Sequence, residues 1–336
     1  MYQVKKLFSR NCLVRQLLRY THSEPKPKPL YPLKSRSLLK VSGKDAGVFL
    51  QGLITNDMEH FEEGTKSMYT MFLNNKGRVM YDVLIHKWQK EDSFMIECDK
   101  NVLSMLQKHL RIYKLKRAAE IEDVSKDYKL WVLISDAFVP ESGLTNDIDI
   151  YKDPRLSDLG FRIIGPSSIL EEKITEVTGK DTTVEKNEDG YKYLRYKFGV
   201  SEGADDLPPG TCFPLECNCD YLHGVSFHKG CYIGQELTAR VHHTGVVRKR
   251  IMPIQFLDAV KENLEKDSTI NATDNLKANI GKLKGNIQDY GIGLVRIKEA
   301  QEAKSLVIGK YTAKVLKPSW WPLEAPKEKA SLTKLV

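Results

Sequence analysis

No aspartate or glutamate occurs in residues 1–23, although that stretch carries Lys5, Lys6, Arg10, Arg15 and Arg19. Val4, Leu7, Phe8, Val14, Leu17 and Leu18 share one helical face between those cations, the pattern of a mitochondrial transit peptide. No long apolar core accompanies them, so a secretory signal is a poor fit. The stretch is read as an address for the mitochondrial matrix, with cleavage near residues 19–35. Nowhere does an apolar run approach about 18 residues, so no membrane span is expected. Without the first 23 residues the formal charge falls from +8 to +3, because 47 basic side chains then face 44 acidic ones. So small an excess argues against direct nucleic-acid binding. The sequence also lacks a P-loop, a dinucleotide fingerprint and an internal repeat. Its six cysteines, at 12, 98, 212, 217, 219 and 231, lack the spacing of ferredoxin clusters or zinc fingers. A reduced matrix compartment leaves no role for a disulfide framework.

The remaining chain is long enough for two domains plus tails. Residues 24–34 read as a proline-spaced, extended linker. A strand over 35–41 follows, then Ser42-x-x-Asp45 as a capping box. Ala46, Phe49, Leu50, Leu53 and Ile54 repeat at helical spacing until Thr55-Asn56-Asp57 ends the helix. β-rich runs over 67–73 and 78–88, joined by Asn74-Asn75-Lys76-Gly77, predict a hairpin. A strand over 93–98 leads into a helix through 102–110 that ends in the basic run 108–117. His109, on its apolar side, is expected as a satisfied core histidine. Strands over 120–124, 128–135 and 161–164 and helices over 169–177 and 191–198 complete this part. Residues 136–159 are expected as an irregular surface excursion. Beyond Arg248 the pattern changes to short strands over 251–257, 291–295, 305–308 and 311–315, separated by the polar stretch 261–289. Such pieces suggest a small β-barrel, with Trp320-Trp321-Pro322 packing a closing edge. The class is therefore α+β. Expected boundaries are a leader and linker over 1–34, an α+β domain over 35–247, a barrel over 248–322 and a tail over 323–336.

The stretch around which the rest is arranged is Lys229-Gly230-Cys231-Tyr232-Ile233-Gly234-Gln235-Glu236, running on to Arg240. Glycines on both sides of a thiol permit backbone shapes other residues resist and a close approach by a partner. Nearby cations favour the thiolate, the form that ligates metals and attacks electrophiles, and Lys229 and Arg240 are the candidates. A small core cysteine in a tight turn is the plainer reading. With Gly224-Val225-Ser226-Phe227 before it and Leu237 to Arg250 after it, the segment resembles the signature of the YgfZ-like proteins. These belong to the folate-binding superfamily of the glycine-cleavage aminomethyltransferase, or T-protein. Gln51-Gly52-Leu53-Ile54-Thr55-Asn56-Asp57 is similar to the first signature of that superfamily, and the extension 237–250 looks most like its mitochondrial branch.

The resemblance covers roughly residues 35–322. It implies a T-protein-like α+β fold with a folate-sized cavity and a small C-terminal barrel. It also implies a late-acting assembly factor for mitochondrial [4Fe–4S] proteins of the aconitase and lipoate synthase type, working with A-type carrier proteins. On that reading Cys231 is a ligand of a [2Fe–2S] cluster shared with a partner, since one thiol cannot hold a cluster alone. Lys229 and Arg240 would tune charge, Gly230 and Gly234 would give access, and Gln235 and Glu236 would position the loop that carries Tyr232. Two other functions fit the same fold: a folate-dependent aminomethyl transferase using tetrahydrofolate, and a tRNA-modification factor. Where aminomethyltransferases resemble Gly-Gly-x-x-Asp-Asp, this chain reads Gly77-Arg78-Val79-Met80-Tyr81-Asp82. A tyrosine in place of one carboxylate counts against transfer chemistry and hence against an enzyme. Asp82 remains as a possible folate-facing acid.

Overall fold

The computed structural model describes residues 27–88, 93–135 and 148–322. The expected leader before residue 27 and the tail over 323–336 lie outside these. The strands before the barrel are β1 (Lys28–Pro32), β2 (Arg36–Ser42), β3 (Ser67–Leu73), β4 (Val79–Trp88) and β5 (Ser93–Asp99). They continue with β6 (Glu120–Asp123), β7 (Tyr128–Leu133), β8 (Asp149–Lys152), β9 (Phe161–Pro166) and β10 (Thr182–Val184). Between and after them lie helices α1 (Ala46–Gln51), α2 (Leu103–Lys114), α3 (Glu171–Thr178), α4 (Asp189–Phe198), α5 (Gly203–Asp206) and α6 (Gln235–Thr244).

The first sheet has the order β3-β4-β5-β2-β6 and the second the order β10-β1-β7-β9-β8. β3 and β5 are buried along their whole length, so the first sheet is a middle layer covered on both faces. Side chains alternate across it. Leu39, Val41, Phe72, Val83, Ile85 and Ile96 pack under α1 and α2. Leu38, Tyr69, Met71, Leu84 and Met95 face the second sheet through Leu130, Val132, Tyr151 and Ile164.

A buried ionic group ties the sheets together. Glu97 on β5 accepts from Arg36 Nε of β2 at 2.9 Å, and Arg162 Nη1 of β9 lies 3.3 Å from the same carboxylate oxygen. His86 Nε2 of β4 lies 3.3 Å from the other oxygen. Burial is the largest influence on Glu97 and pushes its pKa up, but Arg162, Arg36 and His86 together hold it down to about 2.

Beyond residue 248 the chain closes a six-stranded barrel. Its strands are β11 (Lys249–Phe256), β12 (Thr269–Ala272), β13 (Asn275–Ile287), β14 (Tyr290–Arg296), β15 (Leu306–Ile308) and β16 (Tyr311–Val315), with helix α7 (Ile297–Glu302) between β14 and β15. The closed order is β11-β14-β13-β12-β15-β16. Trp321 enters the barrel core, and Trp320 donates its indole N–H to Phe198 O at 2.9 Å. Arg250 holds Asp220 through two bonds of 2.8 Å and lies 3.8 Å over the Tyr221 ring. These contacts fasten the barrel to the segment that carries the central signature.

Several elements differ from the sequence reading. The proline-spaced linker contains β1, which pairs with both β10 and β7 and buries Leu30 completely. Prolines at 29 and 32 interrupt its donors but leave enough of the ladder intact. The excursion 136–159 contains β8, and the polar stretch 261–289 contains β12, β13 and their turns. Asp45 is the N-cap residue of α1 but makes no capping bond. Its carboxylate accepts instead from Ala118 N at 2.7 Å. α1 also stops at Gln51 rather than at Ile54. His109 is half-buried among the rings of Phe72, Tyr81 and Tyr113, and burial lowers its pKa.

Candidate functional site

α6 opens on Gly234, which has φ +79° and ψ +8°. A Cβ there would lie 2.3 Å from Asn74 O and 2.9 Å from Leu73 Cβ. Gly77, in the turn between β3 and β4, also has positive φ and would bring a Cβ to 3.0 Å from Gly234 O. The tip of that hairpin and the start of α6 are thus pressed together at two glycines, and no larger residue fits. Gly230 is different. A Cβ built on it meets nothing within 4 Å, so packing does not require a glycine there. Gly230 and Cys231 are both exposed. Among the described cysteines, Cys98, Cys212, Cys217 and Cys219 are buried and Cys231 alone is exposed.

Below the exposed thiol the loop is anchored to the first signature. Lys229 Nζ donates to Gln51 O at 2.7 Å, Ile54 O at 2.8 Å and Asn56 O at 2.6 Å. Ser226 N donates to Thr55 O and Ile233 N to Gly52 O. In return the Thr55 hydroxyl donates to Gly224 O at 2.7 Å, and the Asn56 amide to His223 O at 2.7 Å and Tyr69 O at 2.9 Å. The two signatures, about 170 residues apart, therefore form one structure. Gln51 O is among the last carbonyls of α1, which lack intrahelical donors, and Ile54 O and Asn56 O lie past the helix end.

The three carbonyls make Lys229 an anchor of the loop. Burial lowers its pKa to about 8, so the acceptors hold the ammonium against its own desolvation. Gln235 turns back so that its Oε1 accepts from Tyr232 N at 3.0 Å. Tyr232 packs on the core between the sheets and lies under the Lys229 ammonium, 5.0 Å from ring centre to Nζ. Glu236 and Arg240 stand exposed on α6. Farther along the helix, His242 stacks on Phe227 with ring centres 3.5 Å apart.

Tyr81 and Asp82 point to opposite faces of β4, as alternate residues must. Tyr81 packs edge-on to Phe72 and His109 under α2. Asp82 is buried, and both its oxygens accept from Gly203 N, at 3.0 and 3.1 Å. Burial raises its pKa, opposed chiefly by Arg36. Asp82 lines neither of two neighbouring cavities of about 490 and 510 Å³, which share Ser67, Pro154 and His223. Cys212 and Cys217 approach to 3.0 Å between sulfurs. Their hydrogen bond, then burial, pushes the Cys217 thiol pKa up, and burial does the same to Cys219. These three cysteines are core residues.

The double-sheet body and barrel define the class. Residues 33–134 match the GCVT N-terminal domain family, and residues 248–323 match the CAF17 C-terminal beta-barrel domain family. The crystal structure of the glycine cleavage system aminomethyltransferase T from Bartonella henselae has the same fold, with a TM-score of 0.68 over 88% of this chain and 86% of that one, at 15% sequence identity. The mouse protein named iron-sulfur cluster assembly factor IBA57, mitochondrial, is 33% identical and covers 88% of this chain and 86% of its own length. Its human counterpart is 32% identical over 87% of this chain and 85% of its own. The chain belongs to the IBA57 family of mitochondrial iron–sulfur cluster assembly factors.

Proposed function

We propose that the protein acts late in mitochondrial matrix iron–sulfur assembly, by sharing a [2Fe–2S] cluster between Cys231 and an A-type carrier on the way to [4Fe–4S] clients. The observation that carries this reading is one exposed thiol on an anchored loop while the other described cysteines are buried. Among the described residues no three His, Cys, Asp or Glu side chains are grouped to hold a metal ion. A cluster docked at Cys231 therefore takes its other thiolates from a partner. Lys229 and Gln235 fix the loop, Gly234 lets α6 start against the hairpin, and Gly230 leaves the approach to the sulfur open. Glu236 and Arg240 are the charged groups a partner meets on α6.

The fold is that of a transferase, but the reading is of an assembly factor without aminomethyl turnover. Tyr81 replaces one of the two acids of the transferases, and Asp82 spends both oxygens on Gly203. The test mixes the protein with a [2Fe–2S]-loaded A-type carrier and follows native mass spectrometry with visible absorption. A cluster-bearing heterocomplex is expected with the wild type and lost with Cys231→Ala. An unchanged complex in that variant would sink the shared-ligand role. Folate-dependent turnover of an aminomethyl donor would replace it with transferase chemistry.

A further inference from the structure

α2 buries Leu106 and Leu110 against the first sheet and turns a second apolar set to solvent. Met105 is 48% exposed, Ile112 59%, Tyr113 42%, and Leu115, just past the helix end, 83%. Lys108, Arg111, Lys114, Lys116 and Arg117 are interleaved with them, and no acid occurs from residue 100 to 119. None of these five cations has an ion pair among the described residues. Met105, Lys108, Ile112 and Leu115 follow one another at helical spacing, so the set forms a single outer face.

Leu115 supplies an independent observation. It has φ +51° and ψ −122°, a conformation that is strained for any residue with a Cβ. Glycine is the usual solution where a helix ends with positive φ. Here a large apolar side chain is kept in a strained backbone conformation, which costs stability, and in water, where it contributes nothing to the core.

We infer that the outer face of α2 and the tip at 115–117 form a docking surface for an anionic phospholipid bilayer. Unpaired cations suit the headgroup charge, and the interleaved aliphatic side chains suit the boundary below it. A nucleic acid would use the cations but leave Met105, Ile112 and Leu115 in water. No residue from 103 to 117 lines either of the two cavities described above, and a fluid surface adapts to such a projecting tip. Among the described residues no helix is long and apolar enough to cross a membrane, so attachment is peripheral and reversible. Ile233, two residues past Cys231, packs on the same core cluster as α2, which fixes the cluster loop relative to the docked face.

The test uses the full chain carrying Leu115→Trp as a local reporter, titrated with vesicles of phosphatidylcholine alone or with a minority of phosphatidylglycerol. A blue shift of the introduced tryptophan is expected only with the anionic vesicles, weakened by salt. Adding Arg111→Glu and Lys116→Glu should weaken partitioning by at least about fivefold per cation lost. Leu115→Gly, which relieves the backbone strain, should keep or raise thermal stability while reducing vesicle binding. Vesicle binding without any change at position 115 would assign it to the basic N-terminal stretch and overturn the inference. A blue shift produced by tRNA or by an acidic protein without vesicles would overturn it in favour of that class of partner.

Discussion

Methionine at position 229 would keep most of the lysine's length and remove its charge. The carbonyls of Gln51, Ile54 and Asn56 would then have lost their shared donor. Hydrogen bonds to a charged group are worth about 1.5–3 kcal/mol, so Lys229→Met is expected to lower unfolding free energy by about 2 kcal/mol in a denaturant titration. It should also loosen the loop enough to impair cluster sharing although Cys231 is still present. Lys229→Arg is expected not to restore it, because a planar fork does not match three acceptors converging on one point. Full activity in both variants would show that the anchor is dispensable. The two glycines of the signature separate in the same way. Gly230→Ala has room, and should fold normally while hindering approach to Cys231. Gly234→Ala forces a Cβ into Asn74 O and strains the backbone, and should cost about 1–3 kcal/mol. Equal melting temperatures for the two variants would contradict that assignment.

At the scale of elements, what the sequence made legible and what it hid have physical reasons. The hairpin of β3 and β4, the amphipathic α2 and the apolar strands β7 and β9 carry strong periodicity, and the structure has them. β1 was hidden by Pro29 and Pro32, because proline is the ordinary mark of a non-strand. β13 was hidden by composition. Its residues Asn275–Ile287 are partly exposed on a barrel wall and rich in lysine and asparagine, so burial alternates weakly along it. The residues of the site were legible as motifs, and their arrangement was not. Nothing in the spacing of Gln51–Asp57 and Gly224–Gly234 says that one segment supplies carbonyls to the other. Those acceptors belong to the last turn of α1 and the residues just past it, which only the folded arrangement brings to Lys229.

For the molecule as a whole, the ionic group around Glu97 is the feature that spans the layers. Its folded pKa of about 2 lies below the ordinary value of 4.5. The unfolded chain therefore binds the proton more readily, and stability from this group is fully present above pH 4.5. It is lost as pH falls from about 4.5 to 2. Glu97→Gln should flatten the pH dependence of unfolding across that window. At neutral pH it should cost about 3 kcal/mol, since it removes the buried ion pair of Arg36, while Arg162 keeps Glu202 at 2.6 Å and Asp153 at 3.4 Å. Equilibrium unfolding of both proteins at several pH values checks both statements, and parallel curves would show that another group sets the acid limit. The placement of β1 has a further consequence, for the order in which the molecule is completed. Lys28 pairs with Thr182, 154 residues further along the chain, so a polypeptide delivered N-terminus first holds an unfinished sheet until most of the body has arrived. Pairings so distant in sequence form slowly, and Leu30 stays open to wrong partners in the interval. If the expected leader is removed, the cut should fall ahead of Lys28, because a cut further on would take away a strand from inside the sheet.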